Sequence, residues 1–472
     1  MSYVTETIHG AVVAGGELTT PDNAKLDIKT LRERIPAHCF RPSTLRSLSF
    51  VVRDSAAYVG LLYGALYLEE VYRPNAYLGF LLRYVAFPYA AGIAMTGLWV
   101  LAHEAGHGAF STNKKLADTV GFVIHSALMS PYFAWQSSHA RHHQYANNIS
   151  IDLNYVPPSH EEYRTLFRGK KQQQQQVAPN NEGGAHDHDH DHDDIYEDAP
   201  FVIFLRIVLQ QVIGWYWYLL SHITAGPNSA PADEGVIKPG IAANDSISIQ
   251  SPKKSRGWWD NSHYLPNSSL FRDDEKWKIV ASDAGLLGMA GIVYALAQTY
   301  GFRTVLWTYL LPLMWVNHWI VMITYLHHTH VSLPKYAPES WTYLRGALAT
   351  VDRDPGFVLR HMTHHIIDLH VVHHLFPRIP HYHAQEATDA MKPLLGEYYH
   401  SDKTSYWGAL WKAFTECQWI APDPEKTAKA NVYTSDDAAR RKAVDEQGIL
   451  WYRSGRMPLP VVRMRSVKES TA

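Results

Sequence analysis

His103-Glu-Ala-Gly-His107 ends a long apolar run of this chain, and two further clusters share its form: His139-Ala-Arg-His142-His143 and His370-Val-Val-His373-His374. A spacing of three or four residues on a helix brings both rings to one face, where they can bind one ion. Neutral imidazole is a ligand for iron, zinc, copper and nickel. The repeated pattern beside apolar segments therefore predicts a metal site at a lipid surface.

The number of imidazoles indicates more than one metal ion. A zinc site is typically filled by four ligands, whereas the three clusters supply eight histidines. We therefore predict two ions and favour a redox metal over zinc. A lone histidine beside an apolar segment is more often a packed or interfacial side chain, but chance does not readily produce three clusters of one form. Two nearby carboxylates, Glu104 and Asp368, are candidates to orient the imidazoles.

Composition is compatible with a large apolar core and excludes some classes of partner and site. The chain has 472 residues, of which 46% are hydrophobic and 12% aromatic, and its formal net charge is -2. This balance predicts no nucleic acid or other polyanion as a partner. The only cysteines are Cys39 and Cys417, so we expect neither a disulfide framework nor a thiolate metal site. Metal binding is predicted to depend on histidine.

Four apolar runs predict transmembrane helices, at residues 50–68, 77–101, 279–298 and 304–326. Each run reaches or nearly reaches the ~20 residues that a bilayer requires. The first 30 residues lack the apolar core of a cleavable signal peptide. We therefore predict an all-α integral membrane protein, in which four transmembrane helices form two hairpins and a cytosolic helical cap carries a His-ligated dimetal site.

A shared site constrains the topology further. Clusters that build one centre lie on the same side of the membrane, so an even number of crossings separates them. Residues 201–223 would break this parity if they crossed alone. This segment carries Arg206, Gln210, Gln211 and His222 beside a Trp-Tyr-Trp-Tyr run, which is typical of the membrane interface. We predict that it lies in the interface, as do residues 117–135.

A low-complexity tract follows the second cluster. It contains a run of glutamines and a run from His186 to His192 in which histidine alternates with aspartate. Such a composition cannot bury a core, so residues 172–198 are predicted to be a solvated insertion. The insertion interrupts a membrane domain at residues 46–425, between cytosolic segments at residues 1–45 and 426–472. Histidine-rich loops are also found in zinc transporters, which leaves that class open as an alternative.

Longer motifs resemble the membrane-bound fatty acid desaturases, and closely the eukaryotic, fungal-type delta-12 or oleate group. The resemblance covers about residues 30–425. Its motifs include Ile35-Pro-Ala-His-Cys-Phe, Gly97-Leu-Trp-Val-Leu-Ala-His-Glu, Thr324-Tyr-Leu-His-His-Thr-His, Arg345-Gly-Ala-Leu-Ala-Thr-Val-Asp-Arg-Asp, His373-His-Leu-Phe and Pro380-His-Tyr-His-Ala-Gln-Glu-Ala-Thr. By this resemblance, all eight cluster histidines correspond to iron ligands.

The resemblance also implies a ninth ligand just after the last span, where His327, His328 and His330 compete. We favour His328 because it stands four residues after Thr324 at the predicted cytosolic helix end. Further residues are expected to support the ligands: Glu104, His364 and Asp368. The chain departs from the family at Ala105, Val331 and Leu369, where Cys, Pro and Thr are usual. None of these changes removes a ligand, but Leu369 adjoins His370 and is a candidate to alter the reaction outcome.

The implied reaction uses dioxygen and two iron ions to introduce a cis double bond at the delta-12 position of oleoyl groups, giving linoleoyl groups. The chain has neither a Gly-x-Gly-x-x-Gly fingerprint nor a His-Pro-Gly-Gly haem motif, so electrons must come from a separate donor. The resemblance implies cytochrome b5 with its NADH-dependent reductase, and a site in the endoplasmic reticulum membrane that faces the cytosol. Phospholipid and acyl-CoA substrates both remain open.

Three other reactions on the same scaffold remain alternatives, namely omega-3 desaturation, hydroxylation and epoxidation of the acyl chain. Glu104 favours delta-12 activity over omega-3 activity, because omega-3 members tend to have Asp there. A zinc transporter would place ionisable ligands along a path near the middle of the bilayer. The three clusters instead lie together at one predicted surface.

Overall fold

The computed structural model describes residues 26–71, 75–168, 199–221, 224–227, 229, 260–429 and 444–455. In these ranges the chain is mostly helical. The predicted insertion at residues 172–198, with its His186–His192 run, lies outside the described residues, as do parts of both predicted terminal segments.

The longer helices form the membrane-facing body, and the shorter ones surround the histidine clusters. The helices are α1 (Ile28–Arg34), α2 (Thr44–Val71), α3 (Ala76–Leu81), α4 (Phe87–His107), α5 (Lys114–Ala127), α6 (Tyr132–Tyr145), α7 (His160–Arg168), α8 (Pro200–Ser221), α9 (Lys276–Tyr300), α10 (Phe302–Val305), α11 (Leu311–His328), α12 (Tyr343–Leu348), α13 (Gly356–Met362), α14 (His370–Leu375), α15 (His381–Leu395), α16 (Tyr406–Glu416) and α17 (Pro424–Lys429).

Two of the long helical segments contain a short π-helical interruption. One interruption spans Leu82–Ala86, before α4, and the other spans Leu306–Leu310, before α11. In each case a proline, Pro88 or Pro312, occupies the second position of the following helix. Proline has no backbone N–H to donate to the residue four positions earlier, and a wider helical turn accommodates that loss. The two helices that end at histidine ligand candidates therefore have the same local construction.

Four helical segments are long and apolar enough to cross a membrane: Ala76–His107, Pro200–Ser221, Asp273–Tyr300 and Phe302–His328. Three of them match predicted spans. The predicted span at residues 50–68 lies within α2 and is not among these four segments; the charged residues Arg53 and Asp54 lower its mean hydropathy. The helix α8, predicted to be interfacial, is one of the four. Membrane helices and an all-α fold are thus confirmed, while the set of candidate spans differs from the prediction.

The helix α8 contacts other parts of the structure near its start, in its middle and near its end. Near its start, Arg206 lies 5.9 Å from the ring of Phe414, which itself packs on Tyr325 close to the end of α11. In its middle, the side chain of Asn317 donates to the carbonyl of Gln211. Near its end, the carbonyl of Leu219 accepts a hydrogen bond from the His263 amide.

The side chain of His263 connects this end of α8 to the second cluster, because its Nε2 lies 2.9 Å from the hydroxyl of Ser138, next to His139. The last turns of α8 therefore lie beside the second cluster, and its middle packs on α11. The interfacial location of this segment stays a prediction.

A cap of short helices carries the third cluster and includes parts of both terminal regions. Leu31, Ile35 and Cys39 are buried against α14 and α15. Three strands, β1 (Pro334–Tyr336), β4 (Trp419–Pro422) and β5 (Ile449–Arg453), form an antiparallel sheet in the order β1-β5-β4. Two more, β2 (Asp352–Arg353) and β3 (Ser401–Asp402), pair in parallel. The described parts of the N-terminal and C-terminal segments thus pack into the membrane domain.

Candidate metal centre

The structure brings the predicted ligand histidines together in two adjacent groups. The five-histidine group consists of His103, His107, His139, His143 and His373, whose candidate ligand nitrogens all lie within 4.8 Å of one another. The same holds for His142, His328 and His374. The Nε2 atom of His370 lies 3.4 Å from that of His328, so we call these four residues the four-histidine group.

The helices explain how one short motif serves both groups. His139 and His143 are one turn apart on α6 and face the five-histidine group, while His142 faces the other. On α14, the neighbours His373 and His374 are likewise divided between the groups. The two groups meet where the rings of His143 and His374 stack with their centroids 4.2 Å apart. This spacing of ligands suits a dimetal centre.

The end of α4 is fixed directly after its second histidine. Gly108 follows His107 with a φ of 75°, in the left-handed region that glycine adopts readily. The amide of Gly108 donates to the carbonyl of Ala105, which ends the helix in the manner of a C-terminal glycine. The chain can therefore turn away while His103 and His107 stay on one helical face.

The nitrogen atoms of the five-histidine group face one another at short range. The Nε2 atom of His139 lies 3.0 Å from that of His103 and 3.1 Å from that of His143, and His107 lies 3.3 Å from His103. Nitrogens that bind one ion at about 2.1 Å stand roughly 3 to 3.4 Å apart. A proton shared between two imidazoles satisfies only one pair of nitrogens, whereas one metal ion can bind several. The observed spacing therefore fits a shared metal cation.

Burial supports the same conclusion. The ring of His374 is fully buried, and neither of its nitrogens has a hydrogen-bond partner among the described residues. Burial lowers the pKa of His370 to about 3, and it holds the pKa values of His139, His143 and His373 well below their usual range. These imidazoles are neutral and have lone pairs available. An unpartnered buried nitrogen is costly, and a metal ion would satisfy it.

One carboxylate orients a histidine of the four-histidine group. The Nδ1 atom of His142 lies 2.7 Å from Oδ1 of Asp152, and both side chains are buried. The carboxylate also accepts hydrogen bonds from the amides of Asn147 and Asn154, which hold it in place. A hydrogen bond at Nδ1 leaves Nε2 free to bind a metal. Sequence reasoning missed Asp152, because only the fold of the loop after α6 brings it back to this helix.

The helix carrying the third cluster is positioned in a similar way. The Nδ1 atom of His370 lies 3.0 Å from the carbonyl oxygen of Ile366, which directs Nε2 towards His328. The buried Asp352 accepts a hydrogen bond from the amide of Val371 at the start of α14 and another from the hydroxyl of Tyr399. A carboxylate at a helix N-terminus is favourable. Asp352 was also missed from the sequence.

The three histidines after the last span have distinct surroundings. His328 belongs to the four-histidine group. The Nδ1 atom of His327 lies 2.5 Å from the carbonyl oxygen of Val351, and its ring stacks on His370. His330 instead lies 3.9 Å from Asp402. Geometry therefore favours His328 as the ligand candidate in this segment.

The carboxylates proposed to orient cluster histidines have other partners. Glu104 lies 2.9 Å from Nδ1 of His381 and accepts a hydrogen bond from its amide. Asp368 pairs with His365 and Arg360. Among the described residues, neither carboxylate has a hydrogen bond to a cluster histidine. A supporting role for Glu104 and Asp368 therefore stays a prediction, and Asp152 is a further candidate for that role.

His364 lies next to the five-histidine group but is not part of it. Its Nε2 is 2.6 Å from Oδ2 of the fully buried Asp54 on α2. Gly97 leaves room for this carboxylate, because a Cβ atom there would lie 2.7 Å from Oδ2. A small cavity of about 20 Å³, enough for one water molecule, is lined by His364, His373 and Leu369. Leu369 thus lies beside the cluster, as its sequence position predicted.

Comparison with known proteins identifies the class. The family model for fatty acid desaturases matches residues 79–406, and the chain belongs to this family. It is 36% identical to an oleate hydroxylase of Claviceps purpurea over 87% of this chain and 80% of the relative. It is also 36% identical to delta-12 fatty acid desaturases of Vernicia fordii (84% of this chain, 88% of the relative) and Mortierella isabellina (83% and 88%).

Proposed function

We propose that this protein is an acyl-lipid delta-12 desaturase that converts oleoyl to linoleoyl groups at a diiron centre. The observation that carries the proposal is the convergence of nine histidines in two adjacent groups, three of them at the ends of two apolar helices. The relatives include delta-12 desaturases from a plant and a fungus. Zinc transport is disfavoured because the histidines gather at helix ends instead of along a path through the bilayer.

The donor set fits two iron ions, with five nitrogens for one ion and four for the other. When bound, iron supplies the oxidation by dioxygen of two neighbouring methylene groups, which have no usable pKa and are beyond the reach of a side-chain acid or base. The ligand set proposed is His103, His107, His139, His142, His143, His328, His370, His373 and His374. Desaturation consumes two electrons and two protons with each dioxygen and releases two water molecules.

The contribution of the protein is to position the acyl chain and to exclude water. Two tryptophans form an apolar wall on the membrane side of the five-histidine group. The ring of Trp135 stacks on His139 with centroids 4.3 Å apart, and the ring of Trp99 stacks on His103 at 5.8 Å. Both tryptophans are buried. A wall of this kind keeps the reacting carbons near the metals and away from bulk water.

The electron donor and the location are further parts of the proposal. We infer that cytochrome b5 and its NADH-dependent reductase supply the electrons, in the endoplasmic reticulum membrane, with phospholipid or acyl-CoA as the carrier of the acyl chain. The family membership and the apolar helices support a membrane-bound lipid enzyme. A cytosolic orientation of the histidine groups would make them accessible to that donor.

The test is expression in a yeast strain that makes oleate but no polyunsaturated fatty acids, followed by fatty acid profiling. We expect linoleate to appear. The matched control is His143→Ala, expressed to the same level, which should give no product because a ligand of the five-histidine group is lost. If the stably expressed wild-type protein gives no new fatty acid, the proposal is wrong.

A second candidate function has a specific observation in its favour. One relative, at 36% identity, is described as an oleate hydroxylase, and Leu369 beside the histidines departs from the usual Thr. The same yeast profile separates the reactions, since a hydroxylase gives a hydroxylated oleate in place of linoleate. A product formed only when linoleate is supplied would indicate omega-3 desaturation.

We also propose that both hairpins open to the cytosol and that α8 does not cross alone. The four-histidine group combines His142 with His374, so an even number of crossings separates these residues. Glycosylation acceptors inserted near residues 228 and 260 should therefore stay unmodified, while one near Tyr300 should be glycosylated. Efficient glycosylation at residue 228 or 260 would contradict the two-hairpin arrangement.

A further inference from the structure

A third cluster of potential ligands lies outside the histidine groups, where the N-terminal segment meets α15. It consists of His38, Cys39, His383 and Glu386, whose candidate ligand atoms all lie within 4.8 Å of one another. The first two residues belong to a 3-10 helix, Ala37–Phe40, and the other two lie one turn apart on α15. The cluster thus joins two parts of the chain that are more than 300 residues apart in sequence.

The individual distances are close to those of a tetrahedral site. Glu386 Oε2 lies 2.8 Å from Nε2 of His38 and 3.8 Å from Nδ1 of His383, and the sulfur of Cys39 lies 3.8 Å from Nε2 of His38. Ligand atoms around one zinc ion stand roughly 3.3 to 3.6 Å apart, given bond lengths of about 2.0 to 2.3 Å. Shifts of about an ångström or less would bring the four atoms around one ion.

The chemistry of the donors favours zinc over iron. Two imidazoles, one thiolate and one carboxylate are a tetrahedral donor set that zinc accepts. One thiolate and one carboxylate carry two negative charges, so a divalent cation would leave the site neutral. The side chains of His38 and Glu386 are 56% and 49% exposed, which gives an ion access from solvent, while Cys39 forms the buried floor.

We propose that His38, Cys39, His383 and Glu386 bind one zinc ion that fastens the N-terminal segment to the cap above the third histidine cluster. The thiol of Cys39 releases its proton to solvent on binding, and no oxidation or reduction is involved. The expectation that the two cysteines provide no thiolate site is revised accordingly. A single thiolate suffices when histidine and glutamate supply the remaining ligands.

The proposed ion would stabilise the region that holds the third cluster. Cys39 packs in the same buried cluster as Val371 and Leu375 of α14. Binding to four side chains fixes the 3-10 helix on α15, and ligand binding to the folded state alone raises stability by mass action. The site is therefore structural, distinct from the histidine groups that carry the proposed oxidation.

Cobalt(II) provides a selective probe in the full-length protein. Cobalt bound to a thiolate gives a near-ultraviolet charge-transfer absorption, whereas cobalt bound only to imidazole and carboxylate does not. Neither the histidine groups nor the His186–His192 run contains a cysteine, so they contribute nothing to this band. We expect the band when cobalt is added to metal-depleted wild-type protein, and we expect zinc to abolish it.

The two cysteines give a matched pair of variants. Cys39→Ser should remove the band and lower bound zinc by about one ion per chain, whereas Cys417→Ser should change neither. For a case in which Cys39→Ser fails to fold, Glu386→Gln is a milder test at a half-exposed position, and it should weaken cobalt binding by roughly tenfold or more. Absence of the band in the wild type, or its persistence in Cys39→Ser, would overturn the proposal.

Discussion

Replacing His328 with alanine should reduce linoleate in the yeast assay to the background of the host and lower the bound iron from two ions towards one. The four-histidine group would keep only His142, His370 and His374. Its metal position would then lack one of its four ligands, since His327 lies outside both histidine groups. Loss of a direct ligand should exceed the 10- to 100-fold effect typical of residues that only orient one.

The control for this prediction is His330→Ala, two residues further along the chain. His330 is 3.9 Å from Asp402 and outside both histidine groups, so this variant should keep most of the product and both iron ions. An active His328→Ala protein would show that His328 is not an essential ligand. An inactive His330→Ala protein that is stably expressed would likewise show that the ligand was assigned to the wrong residue. Alanine at any of the other eight ligand candidates should also abolish product.

The second large effect is expected for Asp152→Asn, a nearly isosteric change. The carboxylate of Asp152 is 2.7 Å from Nδ1 of His142, and its replacement by an amide removes the charge that orients the ring. Residues in such positions typically contribute 10- to 100-fold in metal affinity or activity. We expect a loss of iron affinity and product in that range, measured by metal analysis of purified protein and by fatty acid profiling.

A matched control is Asp368→Asn, which changes another carboxylate that was proposed from the sequence to support the ligands. Asp368 pairs with His365 and Arg360 and has no hydrogen bond to a cluster histidine. Its substitution should therefore have a much smaller effect on iron content than that of Asp152. Equal losses in both variants would mean that Asp152 acts on general stability and not through His142.

The ligand candidates could be predicted from the sequence because helix geometry is local. The spacing of a pair such as His103 and His107 is enough to predict that both side chains lie on one face of a helix. The apolar run before it predicts a membrane helix for the same local reason. The division of neighbours such as His373 and His374 between two groups could not be predicted, since it depends on where other helices place their own histidines.

The residues that orient the ligands were harder to find, because their partners are distant in sequence or lie across an irregular loop. Asp152 returns to His142 only through the loop after α6, and Asp352 reaches α14 through a short strand. Glu104, a carboxylate adjacent to a cluster in sequence, instead lies beside His381. Proximity in sequence was therefore a poor guide to these contacts.

The composition of the two histidine groups also fixes when the centre can be completed during synthesis. In the proposed ligand set the five-histidine group needs His373 and the four-histidine group needs His374, whereas the first ligand, His103, is synthesised 271 residues before His374. At about 5–20 residues per second, this interval lasts roughly 14–54 seconds. If the proposed ligands are correct, neither metal position can be completed before the last two apolar helices have been synthesised, so iron loading would report that the chain is essentially complete.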